Sequence, residues 1–133
     1  MIHKNNKGLT LIELTIVLAI LAIIAAILIP MFIGTTDRAR LRSDIQSARV
    51  IQNAMDLFLL ERGQTVTGAT PSVVLENLEQ AGYLNLRHRE PQTQGAVWHI
   101  TNGEILLDIT SSPASVRNTF SNLNITEQAM IRN

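Results

Sequence analysis

The stretch KGLTLIELTIVLAILAIIAAILIPMFIG, from Lys7 to Gly34, decides how the rest of the chain is read. Between Leu9 and Ile33, 21 of 25 residues are apolar, and only Thr10, Glu13, Thr15 and Pro30 interrupt. At ~1.5 Å of rise per residue the run from Leu9 to Ile29, with its one charge, reaches about 30 Å, enough to cross a hydrocarbon core. No polar face emerges at helical or strand period, so a half-buried surface element is excluded. A buried helix of a soluble fold is the competing reading, but the remaining residues are too few to wrap it on all sides.

An ordinary secretory signal fits poorly. Lys4 and Lys7 supply a basic lead, but the apolar run exceeds the roughly 7–15 residues of a signal core. No small-x-small cleavage site follows it, since Pro30, Met31, Phe32 and Ile33 come next. The charge break lies ahead of the run, at Lys7-Gly8. Glu13 is the informative residue. A carboxylate at membrane depth is costly, and such charges are usually paired and functional unless they hydrate near the headgroups.

The string from Lys7 to Glu13, followed by an apolar helix that reaches Pro30, resembles the leader and first helix of type IV pilins. It is similar also to the pseudopilins of type II secretion and competence systems. The resemblance covers residues 1–34. It implies cleavage after Gly8 by a prepilin peptidase and N-methylation of the new terminus at Leu9. It implies that Glu13 pairs with the N-terminal amine of a neighbouring subunit during filament assembly. Such a pair is favoured in an apolar filament core, where either charge alone would be costly. Pro30 and Gly34 match positions where such helices kink or unwind. Proline removes a backbone donor, and glycine has low helix propensity. Two departures stand out: Leu9 occupies a place where most members carry Phe, and the chain has no cysteine for the C-terminal disulfide of many pilins.

Lysine and arginine counts conflict with this orientation. Lys4 and Lys7 precede the apolar run, but Arg38, Arg40 and Arg42 follow it, with Arg49 further on. Counting alone would put the C-terminal side in the cytoplasm. The resemblance implies the opposite, with the leader cytoplasmic and the rest outside. Asp37 and Asp44 interleave with the arginines at helical spacing, Arg40–Asp44 at i,i+4 and Asp37–Arg40 at i,i+3. A solvated helix face that pairs with neighbours in a filament is therefore expected there, ahead of a nucleic-acid or anionic-lipid surface.

Beyond Gly34, Leu41, Ile45, Ala48, Ile51, Met55 and Phe58 step by three or four, an amphipathic stripe. The helical pattern runs to Arg62, with Gly63 as its stop. Residues 63–70 read as a loop. Thr70 suits an N-cap with Pro71 at the first helical position, and Gly82 fits a C-terminal stop. Residues 85–95 read as a second loop. Asn102-Gly103 predicts a type I′ turn between two strands. That turn sets Thr101 opposite Glu104, Ile100 opposite Ile105, His99 opposite Leu106, Trp98 opposite Leu107 and Val97 opposite Asp108. Ile100, Ile105, Trp98 and Leu107 then share one apolar face. Ser112-Pro113 repeats the cap pattern ahead of a short stripe at Val116, Phe120 and Leu123. Residues 124–133 fit either a strand or a frayed tail.

The expected fold is α+β and pilin-like. A long N-terminal helix packs on a small antiparallel sheet. The expected parts are a leader at 1–8, a membrane and filament-core helix at 9–33, its amphipathic continuation at 34–62 and a head at 63–133. The head is 71 residues without a disulfide, so the stripe at 41–58 must complete its core.

The chain balances 11 Lys+Arg against 11 Asp+Glu, which argues against a partner bound through bulk charge, nucleic acid above all. Loss of Lys4 and Lys7 with the leader would leave 9 − 11 = −2. The absence of cysteine excludes thiol chemistry and cysteine-ligated metals. His3 lies in the leader, His88 lies between Arg87 and Arg89, and His99 lies in the hairpin; no pair has metal-ligand spacing. Glu104 and Asp108 alone are a weak calcium set. Ser111 and Ser112 lack a nucleophile elbow, and the glycines are too scattered for a phosphate loop. No enzyme and no cofactor is expected.

The resemblance implies a structural subunit that polymerises into a pilus or pilus-like filament. Its expected partners are its own copies, the peptidase, the inner-membrane assembly machinery and, before assembly, membrane lipid. Its expected location is the inner membrane as a single-pass precursor, then a periplasmic or extracellular filament. The alternative is a membrane-anchored protein with a small binding head and no polymer. An enzyme secreted behind a signal peptide has no catalytic constellation in its favour.

Overall fold

The computed structural model describes residues 10–85 and 90–132. It divides into two compact units, residues 1–33 and 34–133.

In the first unit, Leu11 begins helix α1, which extends to Arg62 and passes through Pro30 and Gly34 without a break in its assignment. Large apolar side chains from Leu11 to Phe32 stay uncovered; even Leu28, among the least exposed, keeps 43% of its surface. Thr15 returns its hydroxyl to the Ile12 carbonyl at 2.9 Å. That bond satisfies the group within the helix and leaves no polar stripe. This helix is long and apolar enough to cross a membrane.

The second unit holds the rest of α1, then α2 (Pro71–Gln80), β1 (Val97–Thr101), β2 (Glu104–Asp108), α3 (Ala114–Phe120), α4 (Ile125–Gln128) and β3 (Ile131–Arg132). The stripe on α1 supplies one wall of the core: Leu41, Ile45, Ala48, Ile51 and Met55 are all buried. Trp98, Ile105, Leu107 and Ile109 from the sheet meet them, with Val74, Leu75 and Leu78 of α2, Leu123 and Ile131. Phe58 and Tyr83 pack at the margin, ring centroids 5.5 Å apart and edge to face.

Local signals place the element ends. Gly63 follows the last turn of α1 at φ +68°, its N–H donating to the Leu59 carbonyl at 2.8 Å. The Thr70 side chain accepts from the Val73 N–H, with Pro71 opening α2. At the other end Tyr83 N–H donates to Leu78 and Gly82 N–H to Glu79, a Schellman arrangement made accessible by Gly82 at φ +83°.

The strands pair in the expected antiparallel register, from Val97↔Asp108 to Thr101↔Glu104, around Asn102 and Gly103 at φ +55° and +81°. The sheet as a whole is mixed, which corrects the purely antiparallel expectation. β3 adds parallel to β2, Leu107↔Ile131 and Asp108↔Arg132. The reason is the route of the chain: α3 and α4 carry it back, so it re-enters beside β2 running in the same direction. Residues 124–132 are thus neither a plain strand nor a tail. Asn124 and Glu127 close a capping box on α4 before β3 begins.

Two further expectations are corrected. Asp44 is 1% exposed, so it is not a solvated partner of Arg40. Its Oδ1 accepts from the Gln92 N–H at 2.8 Å and its Oδ2 from the Thr93 N–H at 2.7 Å. The 90–95 loop has no strand to satisfy its amides, and a carboxylate on the facing helix does so. Ser112 is not the cap of α3. Pro113 holds that position without a side-chain bond, while the Ser112 hydroxyl is buried.

Candidate assembly site

Gly8 and Leu9, the expected processing and methylation residues, lie outside the described residues. The first residue to be placed is Thr10. Its carbonyl accepts the first helical bond, from Leu14 N–H at 3.2 Å, so it is the N-cap of α1. Glu13 stands three residues on. Its Oε2 accepts from the Thr10 N–H and from the Thr10 hydroxyl, each at 2.8 Å. Glu13 N–H donates back to Thr10 Oγ1 at 3.3 Å. This is a capping box, two helix-terminal donors satisfied reciprocally.

The box explains how an acidic residue fits at the head of an apolar helix. The positive end of the helix dipole and two donors favour its charge. Both bonds fall on Oε2, so Oε1 keeps its acceptor capacity among the described residues. Thr10 was not among the expected site residues. The Thr-x-x-Glu spacing ahead of an apolar run carries that signal.

Pro30 and Gly34 lie inside α1. The Pro30 nitrogen donates no helical bond, which leaves the Ala26 carbonyl without its usual i+4 partner. A Cβ at Gly34 would meet nothing within 4 Å, so close packing inside the chain does not require glycine there. Its weak helix propensity is the property left to explain it.

In the second unit, polar residues of α1 tie down the head. Asp44 holds the 92–93 amides. Gln52 donates from Nε2 to the Gly103 carbonyl at 3.0 Å and accepts from the Ile105 N–H at 3.0 Å, which grips the hairpin at its turn. Arg42 pairs with Glu127 of α4 at 3.3 Å. Tyr83 donates its hydroxyl to Glu61. Spacing alone did not mark Asp44 or Gln52, because a helix presents surface and tethering residues at the same period.

On the outer sheet face, Asp108 accepts from the Thr110 hydroxyl at 2.6 Å and its N–H at 3.0 Å. Those bonds, hydroxyl first, hold its carboxyl below the usual value, and Arg132 and His99 act in the same direction. Arg132 Nε lies 3.7 Å from Asp108 Oδ2. The described residues contain no group of three His, Cys, Asp or Glu that could hold a metal.

The prokaryotic N-terminal methylation motif matches residues 3–29. A fimbrial protein of Pseudomonas aeruginosa is 40% identical over 68 residues, 51% of this chain and 44% of that protein. Prepilin peptidase-dependent protein A of Clostridium perfringens is 43% identical over 60 residues, 44% of this chain and 43% of that protein. Type II secretion system core protein G of Klebsiella michiganensis is 25% identical over 65 residues, 49% of this chain and 46% of that protein. The chain thus spans less than half the length of each of these relatives. No solved structure gives a significant match. In its methylation motif and first helix, the chain is similar to type IV pilins and to the core pseudopilin of type II secretion.

Proposed function

We propose that the chain is the precursor of a filament subunit. Prepilin peptidase cuts it after Gly8 and methylates Leu9. The segment from Leu9 to Ile33 then holds the subunit in the inner membrane, with the head outside. Assembly moves that segment from lipid into a filament core of its own copies. The observation that supports this most is the uncovered helix behind a methylation motif: large apolar side chains from Leu11 to Phe32 lack cover from the chain itself. Lipid can cover them before assembly and neighbouring helices afterwards.

Glu13 supplies register in this reading. Its carboxylate is already oriented by Thr10, and Oε1 is open to the methylated amine of a neighbour. Pairing there removes two isolated charges from an apolar core at once. Pro30 and Gly34 are proposed as the places where α1 bends or opens during packing. Intact-mass measurement of the mature protein tests the processing steps. The expected mass lacks residues 1–8 and gains one methyl group; a chain that still begins at Met1, or that starts after residue 30, refutes the reading.

A further inference from the structure

The sequence makes the arginines after the apolar segment look self-neutralised by Asp37 and Asp44. The structure removes half of that neutralisation, because Asp44 is turned inward and buried against the Gln92 and Thr93 amides. Arg40 is exposed, and its guanidinium makes no hydrogen bond or ion pair among the described residues. Arg42 keeps 51% of its side chain exposed although it touches Glu127. Arg38 donates to the Asn122 carbonyl at 3.1 Å and is otherwise exposed. Three guanidinium groups therefore ring α1 and face solvent.

A second feature lies at the same end of the head. Arg38 holds Asn122 and Arg42 holds Glu127, so the start of α4 is drawn beside this part of α1. Ile125, the first residue of α4, is 84% exposed, more than any other large apolar side chain among the described residues of the second unit. Arginines next to a bare isoleucine form an amphiphilic rim. Arg38, Arg40 and Arg42 follow Ile33 by five, seven and nine residues, roughly 8 to 14 Å of helical rise. With residues up to Ile33 in the hydrocarbon, so short a stretch of chain leaves the guanidinium groups within side-chain reach of the headgroup layer.

We infer that Arg38, Arg40 and Arg42, with Ile125, form a lipid-docking rim that seats the head of the membrane-held precursor on anionic phospholipid. The guanidinium groups take headgroup phosphates as bidentate partners, and Ile125 enters the interfacial layer. Asp37 and Glu127 are the acidic groups facing the rim; Glu127 is occupied by Arg42, and Asp37 is partly buried. The contact would hold the waiting subunit close to the bilayer and would have to break when the subunit is drawn into a filament. The inference rests on the proposed membrane anchoring by residues 9–33.

The test uses the full-length chain carrying Thr126→Cys, a single thiol because the natural chain has none. The thiol is labelled with an environment-sensitive fluorophore. The protein is reconstituted into neutral phosphatidylcholine vesicles, and into vesicles with about 30% phosphatidylglycerol to supply an anionic surface. The readout is the ratio of label protected from acrylamide, a neutral quencher, to label that is quenched. In anionic vesicles the ratio is expected to rise by about fivefold per engaged arginine, and to fall again as salt goes from about 50 mM to about 500 mM.

Arg40→Gln, which breaks no contact within the fold, should lower the ratio about fivefold, and Arg40→Lys should restore most of it. Trp98 emission reports that the head remains folded. Equal protection in neutral and anionic vesicles, or an Arg40→Gln variant that behaves as the parent, overturns the inference. So does loss of protection on adding inorganic phosphate at matched ionic strength, which would mark a site for the free ion. If the chain fails to float with vesicles at all, the anchoring itself is refuted, and that outcome is distinct from flotation without protection.

Discussion

The two halves of α1 obey the same backbone rules and solve opposite problems. From Leu11 to Phe32 the helix keeps large apolar side chains exposed on every side. From Leu41 to Met55 it buries one stripe completely and presents polar groups elsewhere. The first half has no cover from the described residues, and the proposed function assigns that cover to lipid or other copies. The second half is covered by the head, whose core it completes. The contrast shows that hydrophobicity alone does not assign a helix to a core. What assigns it is whether the apolar surface has a complementary surface within the chain.

The carboxylates of α1 repeat the contrast. Glu13 closes a capping box at an exposed helix end and retains acceptor capacity. Asp44 is buried, with both oxygens committed to backbone amides. The first is suited to a partner that arrives during assembly, and the second to a permanent tie.

The largest expected effect therefore falls on Glu13. Glu13→Ala should leave cleavage after Gly8 intact and exclude the subunit from filaments, scored by mass and by sheared-filament yield. Normal filaments from that variant would break the assigned pairing. A matched pair of truncations probes the halves next. Leu75→Ala empties a site that is 2% exposed and should cost the head about 2–5 kcal/mol. Leu18→Ala, at a side chain 56% exposed, should leave the melting of the head within error. Trp98, the sole tryptophan and buried, reports both transitions.

Asp44→Ala strands the Gln92 and Thr93 amides and should cost about 1–3 kcal/mol in the same assay. A loss near zero would show that water replaces the carboxylate without penalty.

The smallest effect concerns pH. The folded Asp108 carboxyl lies below its usual value, so its contribution to stability is present above the unfolded value. That contribution is lost as pH falls through the folded one. Asp108→Asn should flatten the acid limb of head stability below the ordinary aspartate range, leaving the curve above that range parallel to the parent. An unchanged acid limb contradicts the assignment.

Much of this architecture is readable from residue order because its signals are local. The Asn102-Gly103 turn has φ values that its residue types permit, and that turn alone sets the register of ten strand residues. Thr70, Pro71, Gly82 and Gly63 act through bonds to residues within five positions. The misread features depend on distant partners. Asp44 has the spacing of a surface ion pair, and only the loop 48 residues away turns it into a buried tether. β3 contains two residues, too few for a period, and its parallel direction depends on how α3 and α4 return the chain. At the candidate assembly site, the resemblance marked Glu13, and local capping chemistry added Thr10.

In the proposed filament the Leu11–Phe32 stretch of α1, bare in the single chain, is covered by other copies. An Ile23→Cys variant tests it directly, because no other thiol competes and Ile23 is 64% exposed in the isolated chain. Sheared filaments of this variant are treated with a water-soluble maleimide before and after dissociation in denaturing detergent. The account predicts negligible labelling in the intact filament and full labelling after dissociation. Labelling of intact filaments at the rate of the dissociated chain would contradict it.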